Sequence, residues 1–142
     1  MIKTQYDHLG KLNTQQTIQK LANSTFKTPV AFQIKSITKA VRDGFFKMRD
    51  DYKKDIEEKY AAKNAEGKFE PPAHGSKSEE LQLPFNCQAG LEGDAKGAIE
   101  AFNKTEFKLD RKKIKAEVLF EVNEWSPREL EALEFLVEEP TE

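Results

Sequence analysis

The longest apolar stripe in the sequence runs from Pro29 to about Ala62, and it constrains the fold more than any other feature. Thr28 suits a helix N-cap, and Pro29 suits the first helical position, where a missing N–H costs no hydrogen bond. Apolar residues then recur at helical spacing over roughly nine turns. They are Val30, Ile34, Ile37, Val41, Phe45, Met48, Tyr52, Ile56 and Tyr60. The pattern predicts one long helix with a single buried face.

The length of this helix predicts that it projects. At the usual rise per residue it measures about 50 Å, whereas a compact globule of this chain length measures about 35 to 40 Å across. From Arg49 onward the helix is dense in charge of both signs, which indicates a solvated arm. The following residues, 63–77, are rich in Gly, Pro, Asn and Ser. We expect an exposed loop there, at the tip of the arm.

Gly44 lies in the middle of the predicted helix. A glycine there costs about 1 kcal/mol relative to alanine. It is either a tolerated residue or the mark of a close approach by another backbone.

Composition favours an ordinary domain. The chain has 142 residues, which predicts a single domain over 1–142 with a normal core. Charged residues make up 34% and nearly balance, with a net charge of -2, so charge indicates neither a nucleic-acid nor a membrane-surface partner. The lone cysteine, Cys87, rules out an internal disulfide and is compatible with a reducing compartment. We find neither a signal peptide nor a membrane-spanning stretch.

Shorter elements surround the long helix. A weak alternation in residues 2–6 is compatible with a short strand or an ordered arm. Asn13 is predicted to cap a helix that runs to about Ala22, and another helix is predicted from near Asp94 to about Asn103. Alternation through Leu81, Leu83 and Phe85 suggests a short edge strand. The inner face of the first short helix is predicted to be Ile18, Leu21 and Ala22.

Two runs near the C-terminus alternate apolar and charged residues. We predict strands over 105–109 and 113–122, joined around Asp110, Arg111 and Lys112 as an antiparallel pair with one wet face. Leu119 breaks the polar face of the second run and is expected to touch a helix or a partner.

The final helix has the clearest boundary signals. Ser126 and Glu129 form a capping-box pattern around Pro127, and Trp125 is placed to pack on Leu130 as a hydrophobic staple. The helix is predicted to continue until Pro140. Its buried face is expected to contain Leu130, Ala132, Leu133, Phe135, Leu136 and Val137. The fold class is therefore α+β: a long projecting helix packed with shorter helices on a small antiparallel sheet, and a capped C-terminal helix.

The sequence offers no constellation of catalytic or metal-binding residues. His8 and His74 belong to no cluster with metal-ligand spacing, and Cys87 matches no nucleophile motif. The glycines at 90, 93 and 97 are not followed by the residues of a phosphate loop. We therefore expect a protein that is not an enzyme and has no catalytic, cofactor or metal site.

Aromatic residues of the long helix are the predicted protein-binding surface. Phe45 and Phe46 are adjacent, so they point about 100° apart and one of them must widen the buried face or contact another molecule. Tyr52, Tyr60 and Leu119 complete this set. Core packing explains these residues equally well.

Four basic residues form the only candidate nucleic-acid contact. They are Arg111, Lys112, Lys113 and Lys115. An exposed hairpin turn accounts for them without a phosphate, so nucleic acid is an unlikely partner.

Several segments resemble small accessory proteins of tailed bacteriophages that have no assigned function. They are QKLAN, TPVAFQIKSITKAV, MRDDYKKDIEEKYA and SPRELEALEFLVEEP. The resemblance covers Lys20 to Tyr60 and Trp125 to Glu139, whereas Pro84 to Gly97 departs from the pattern as an insertion would. Its motifs are structural, so it transfers no active site. It implies a phage origin and an accessory or virion-associated role.

The expected function is a non-enzymatic phage protein that acts through protein–protein contacts in the virion or its assembly. The partner is a second copy or another phage structural protein, and the location is the host cytoplasm, with incorporation into the virion. The alternative is an early phage protein that binds and inhibits a host enzyme or defence factor. An enzyme or a nucleic-acid binder is the third hypothesis.

Overall fold

A computed structural model describes residues 1–138 of the chain. It confirms a mixed helix-and-strand fold with a long helix, a small antiparallel sheet and a capped C-terminal helix. The chain divides into two compact units. The first comprises Met1–Phe46 and the chain from Thr105 onward, and the second is Lys47–Lys104. The long helix, α3 (Thr28–Tyr52), contributes residues to both units.

The first unit contains a two-stranded antiparallel sheet. Strand β1 (Ile2–Gln5) pairs with β2 (Glu106–Leu109), with Ile2 opposite Leu109. The N-terminal alternation is therefore a strand, and the strand predicted over 105–109 is confirmed. The prediction that this strand pairs with the run over 113–122 is wrong, because β2 pairs with β1 at the N-terminus.

The segment predicted as a strand over 113–122 is mostly helical. Only β3 (Ile114–Lys115) is extended, and it pairs in parallel with β4 (Val137–Glu138). Helix α7 (Ala116–Phe120) follows it. Ala116 and Leu119 are 5% and 1% exposed, so burial follows the helical spacing of three residues. Leu119, which breaks the alternation, was the sequence signal for this helix.

Three helices that precede β2 in the sequence also contribute to the core of the first unit. After α1 (Tyr6–Gly10), α2 (Leu12–Asn23) has Lys11 as its N-cap, two residues before the predicted cap, Asn13. Leu21 is fully buried as expected, but Ala22 is exposed. Thr14 and Thr17 are buried on this helix instead of Ala22, at 1% and 2% exposed. The hydroxyl of Thr17 donates a hydrogen bond to the Asn13 carbonyl at 2.7 Å. Helix α3 buries Ile34, Ile37 and Val41, as the stripe predicted.

The C-terminal helix, α8 (Pro127–Leu133), begins where the capping box predicted. The Glu129 N–H donates to Ser126 Oγ at 3.1 Å, and the Ser126 N–H donates to Glu129 Oε1 at 3.0 Å. The predicted length is wrong, since the helix ends at Leu133 and the chain turns into β4. Pro140 lies outside the described residues. Leu130, predicted on the buried face, is 39% exposed.

The second unit contains the end of the long helix and two further helices. The helix continues through a π-helical turn (Lys53–Glu57) into α4 (Glu58–Tyr60). Helices α5 (Lys77–Glu80) and α6 (Glu92–Asn103) follow, and α6 matches its prediction closely. The core consists of Ile56, Ala61, Leu83, Phe85, Cys87 and Ala95.

The segment around Leu83 keeps the predicted alternation without forming the predicted strand. Leu83, Phe85 and Cys87 are buried, and Cys87 forms an isolated antiparallel bridge with Ala61. The side chains of residues 63–77 are mostly exposed, which suits the loop composition.

Gly44 lies against an aromatic ring of the first unit. A Cβ atom at this position would overlap Cε2 of Phe107 and lie 3.3 Å from its Cζ. The glycine therefore marks a close approach, but by a side chain of β2 and not by another backbone.

Candidate functional site

An apolar groove of about 350 Å³ lies in the first unit between α7, α8 and β4. Its lining is mainly aliphatic and aromatic, with carboxylates among the lining residues. The lining residues are Ala116, Leu119, Phe120, Pro127, Leu130, Glu131, Leu133, Glu134, Val137 and Glu138. The volume of the groove lies at the low end of the range of ligand pockets in proteins.

Side chains of two kinds form the groove. Leu119 and Leu133 are 1% and 0% exposed, so they belong to the core as well as to the lining. Phe120 and Leu130 are 59% and 39% exposed. Among the described residues of the lining, these two are the large apolar side chains that are exposed, and each comes from a different helix.

Local contacts fix the position of α8 and the end of α7. The Lys20 ammonium lies 2.9 Å from Glu129 Oε2 and 4.5 Å from the centre of the Trp125 ring. The Trp125 indole N–H donates to the Leu119 carbonyl at 2.9 Å, which ties the start of α8 to α7. The groove is thus held by hydrogen bonds, a cation–π contact and an ion pair.

The same contacts lower the pKa of Glu129. The main cause is the hydrogen bond from the Ser126 backbone N–H, followed by the hydrogen bond from Lys20. Both favour the carboxylate over the acid.

The charged lining of the groove has one sign. Glu131, Glu134 and Glu138 contribute carboxylates, and no lysine or arginine of residues 1–138 lines the groove. All three residues are exposed, and none forms an ion pair with another residue of the described range 1–138. The lining therefore combines an apolar surface with three carboxylates, and Lys115 stands opposite one of them, Glu138, in the β3–β4 register.

A second cavity of about 300 Å³ adjoins this groove. It is lined by Thr4, His8, Lys113 and Phe135, and it shares Glu131 and Glu134 with the groove. His8 Nε2 lies 3.0 Å from the Ala132 carbonyl and its ring meets Phe135 edge-on, so the imidazole is held in the wall.

The predicted aromatic surface is divided between the two units. In the first unit, Phe45 is half-buried and stacks on Tyr6 with 5.5 Å between ring centres, whereas Phe46 is 52% exposed. In the second unit, Tyr52 packs edge-on against Phe102 at 5.4 Å, and Lys59 lies over the ring of Tyr60. Of these residues, Phe46 offers the largest exposed apolar surface.

Leu119, the fifth predicted protein-binding residue, is 1% exposed. Its side chain packs inside the first unit, so it supports the groove and does not present a surface of its own.

The four predicted basic contacts lie on the connection between β2 and β3. Arg111, Lys112 and Lys115 are exposed, and Lys113 is half-buried beside the second cavity. Lys115 stands opposite Glu138 in the β3–β4 register. Lys113 and Lys115 thus lie near carboxylates of the C-terminal segment, and nucleic-acid contact stays a prediction.

Cys87 and the histidines form no shared site. Burial of the thiol raises the pKa of Cys87, and the nearby Glu92 carboxylate raises it further. His74 is exposed in the loop and pairs with Glu79 at 3.5 Å. Within residues 1–138, no three His, Cys, Asp or Glu side chains are grouped closely enough to hold a metal ion. No helix in that range is long and apolar enough to cross a membrane.

Comparison with protein-family models, curated proteins and solved structures gives no significant match. The resemblance to phage accessory proteins therefore stays a prediction.

Sequence reasoning missed the groove itself. The sequence pattern predicts Phe120 on the buried face of a strand and Leu130 on the buried face of a helix, whereas the structure exposes both. The available signal was the apolar spacing of Ala116, Leu119 and Phe120, three and four residues apart, which is typical of a helix.

Proposed function

We propose that this chain acts through protein–protein contacts and not through catalysis, with the groove between α7, α8 and β4 as its contact site. The observation that carries the proposal is the exposure of Phe120 and Leu130 above an apolar lining. Exposed apolar side chains around a groove are typical of protein-interaction sites.

The negative lining supports the same function. Carboxylates at the edge of an apolar contact favour a partner with basic residues and speed its association. Because Glu131, Glu134 and Glu138 form no ion pair within the described range, they remain available for such residues.

The sequence resemblance adds the biological setting. On that basis alone, we propose that the contacts are made in the virion of a tailed bacteriophage or during its assembly.

Photo-crosslinking in the cells that naturally produce the chain tests the groove as a contact site. The substitution Phe120→benzoylphenylalanine places a photoreactive ring at the groove, and Leu12→benzoylphenylalanine is the matched control. Leu12 is 69% exposed on α2 in the same unit and does not line the groove.

We expect a discrete protein adduct from position 120 that position 12 does not give. Mass spectrometry of the adduct identifies the partner. Equal labelling at both positions, or no protein adduct at position 120, would show that the groove is not a contact site.

A further inference from the structure

A second exposed apolar surface lies on the outer face of α3 in the first unit. Phe32 is 68% exposed and Phe46 is 52% exposed. At about 100° per residue, Phe32, Lys35, Lys39 and Phe46 fall within an arc of about 60°. We call these four residues the outer face of α3. It lies opposite the buried stripe.

The charge on this part of α3 is positive. Between Thr28 and Phe46 the helix carries Lys35, Lys39 and Arg42 against a single acidic residue, Asp43. All three basic side chains are exposed, and none forms an ion pair within the part of the chain that the structure describes. The outer face thus combines an aromatic anchor with free cations.

The outer face and the groove have opposite charge and a shared apolar character. Phe32 is followed by Lys35 and Lys39, one and two turns along the helix. The groove presents Phe120 and Leu130 beside carboxylates, with no cation among the described residues that line it. An amphipathic helix that lays an apolar anchor into a groove is a common mode of protein recognition.

Both surfaces are exposed in the same unit, so they do not cover each other within one chain. We propose that the groove binds the outer face of α3 from a second copy of this chain. This inference rests on the proposed function and names the partner. Because two different surfaces meet, the contact is head-to-tail, and its repetition gives a ring or a filament.

Three exposed apolar residues allow a matched set of variants. Phe32→Gln removes the anchor of the outer face, and Leu130→Gln alters the groove. Leu12→Gln changes a residue that is as exposed as Phe32 and lies outside both surfaces. Phe120→Gln is a second groove variant, because Phe120 is more exposed than Leu130 and its replacement disturbs the core less. Circular dichroism confirms that each variant is folded.

Sedimentation equilibrium over a range of concentrations measures the assembly. We expect the wild-type chain and Leu12→Gln to form multimers. We expect Phe32→Gln and either groove variant to dissociate about tenfold more readily, which corresponds to about 1.4 kcal/mol. Higher salt should weaken the wild-type assembly, since its charged rim is screened.

Mixing the variants tests the head-to-tail arrangement. Phe32→Gln retains an intact groove and Leu130→Gln retains an intact outer face. An equimolar mixture should therefore form a one-to-one pair that neither variant forms alone, and the altered surfaces should stop growth at that size.

A wild-type monomer at every concentration would overturn the inference. So would variants that assemble like the wild type, or a mixture that does not pair. If position 120 crosslinks only to a different protein, the proposed function stands and this inference fails. One more outcome would overturn the inference. The wild-type chain would bind nucleic acid, and the double substitution Lys35→Glu and Lys39→Glu would release that nucleic acid without changing assembly.

Discussion

Gly44→Ala should destabilise the first unit, although alanine is normally the better helix residue. In α3 the new methyl group would overlap Cε2 of Phe107 and would lie 3.3 and 3.4 Å from Cζ and Cδ2. Phe107 is 6% exposed and is held in β2, so its ring has little room to move.

The expected magnitude is a difference between two effects. Replacing glycine with alanine in a helix interior gains about 1 kcal/mol. Overpacking of a buried site costs about 1 to 3 kcal/mol, and contact with several ring atoms places this one at about 2. The net change in the free energy of unfolding is therefore a loss of about 1 kcal/mol.

Urea unfolding followed by tryptophan fluorescence measures this loss, because the single tryptophan, Trp125, belongs to the first unit. Gly10→Ala is the matched control in the same unit. Its new Cβ would meet only the Phe45 ring, at 4.0 Å, so we expect a gain of about 0.4 to 1 kcal/mol.

Phe107→Leu provides a rescue background. Leucine lacks the ring atoms that the new methyl group would meet, so Gly44→Ala should become stabilising in that background. Coupling between the two sites should reach about 2 kcal/mol. Stabilisation by Gly44→Ala in the wild-type background, equal to that of Gly10→Ala, would refute the account of this contact.

The remaining predictions concern the two groups with shifted pKa values. The folded-state pKa of Glu129 is below its usual 4.5, so the stabilising contribution of this carboxylate is complete above pH 4.5 and is lost as pH falls through the folded pKa. The free energy of unfolding should therefore fall less below about pH 4.5 in Glu129→Gln than in the wild type. An equal dependence of the unfolding free energy on pH in the two proteins would contradict the assigned cap. Cys87 is 7% exposed and its pKa is raised, so alkylation by iodoacetamide near pH 8 should be slow in the folded chain and fast in urea. Rapid alkylation of the folded chain would contradict the burial of this thiol.

Features that depend on neighbouring residues could be predicted from the sequence. The start of α8 is fixed by Ser126 and Glu129, which cap each other across one turn. The stripe of α3 was correct because its spacing repeats over many turns. In both cases the determining interactions lie within the element or on one of its faces.

Features that depend on distant residues could not be predicted from the sequence. The partner of β2 is β1, about a hundred residues earlier, and nothing in the alternation of Phe107 and Leu109 identifies it. The end of α8 at Leu133 depends on the pairing of Val137 with Ile114. The groove lies between α7, α8 and β4. It cannot be recognised from a sequence pattern that predicts a strand over 113–122 in place of α7.

Isotope-resolved crosslinking tests the central claim most directly. Unlabelled chain carrying Phe120→benzoylphenylalanine is mixed with ¹⁵N-labelled wild-type chain, irradiated and digested with trypsin. The account predicts adducts between the unlabelled peptide that carries position 120 and the labelled peptide of residues 28–35, which contains Phe32. The account would be contradicted if both peptides of every adduct were unlabelled. It would also be contradicted if no adduct contained the peptide of residues 28–35.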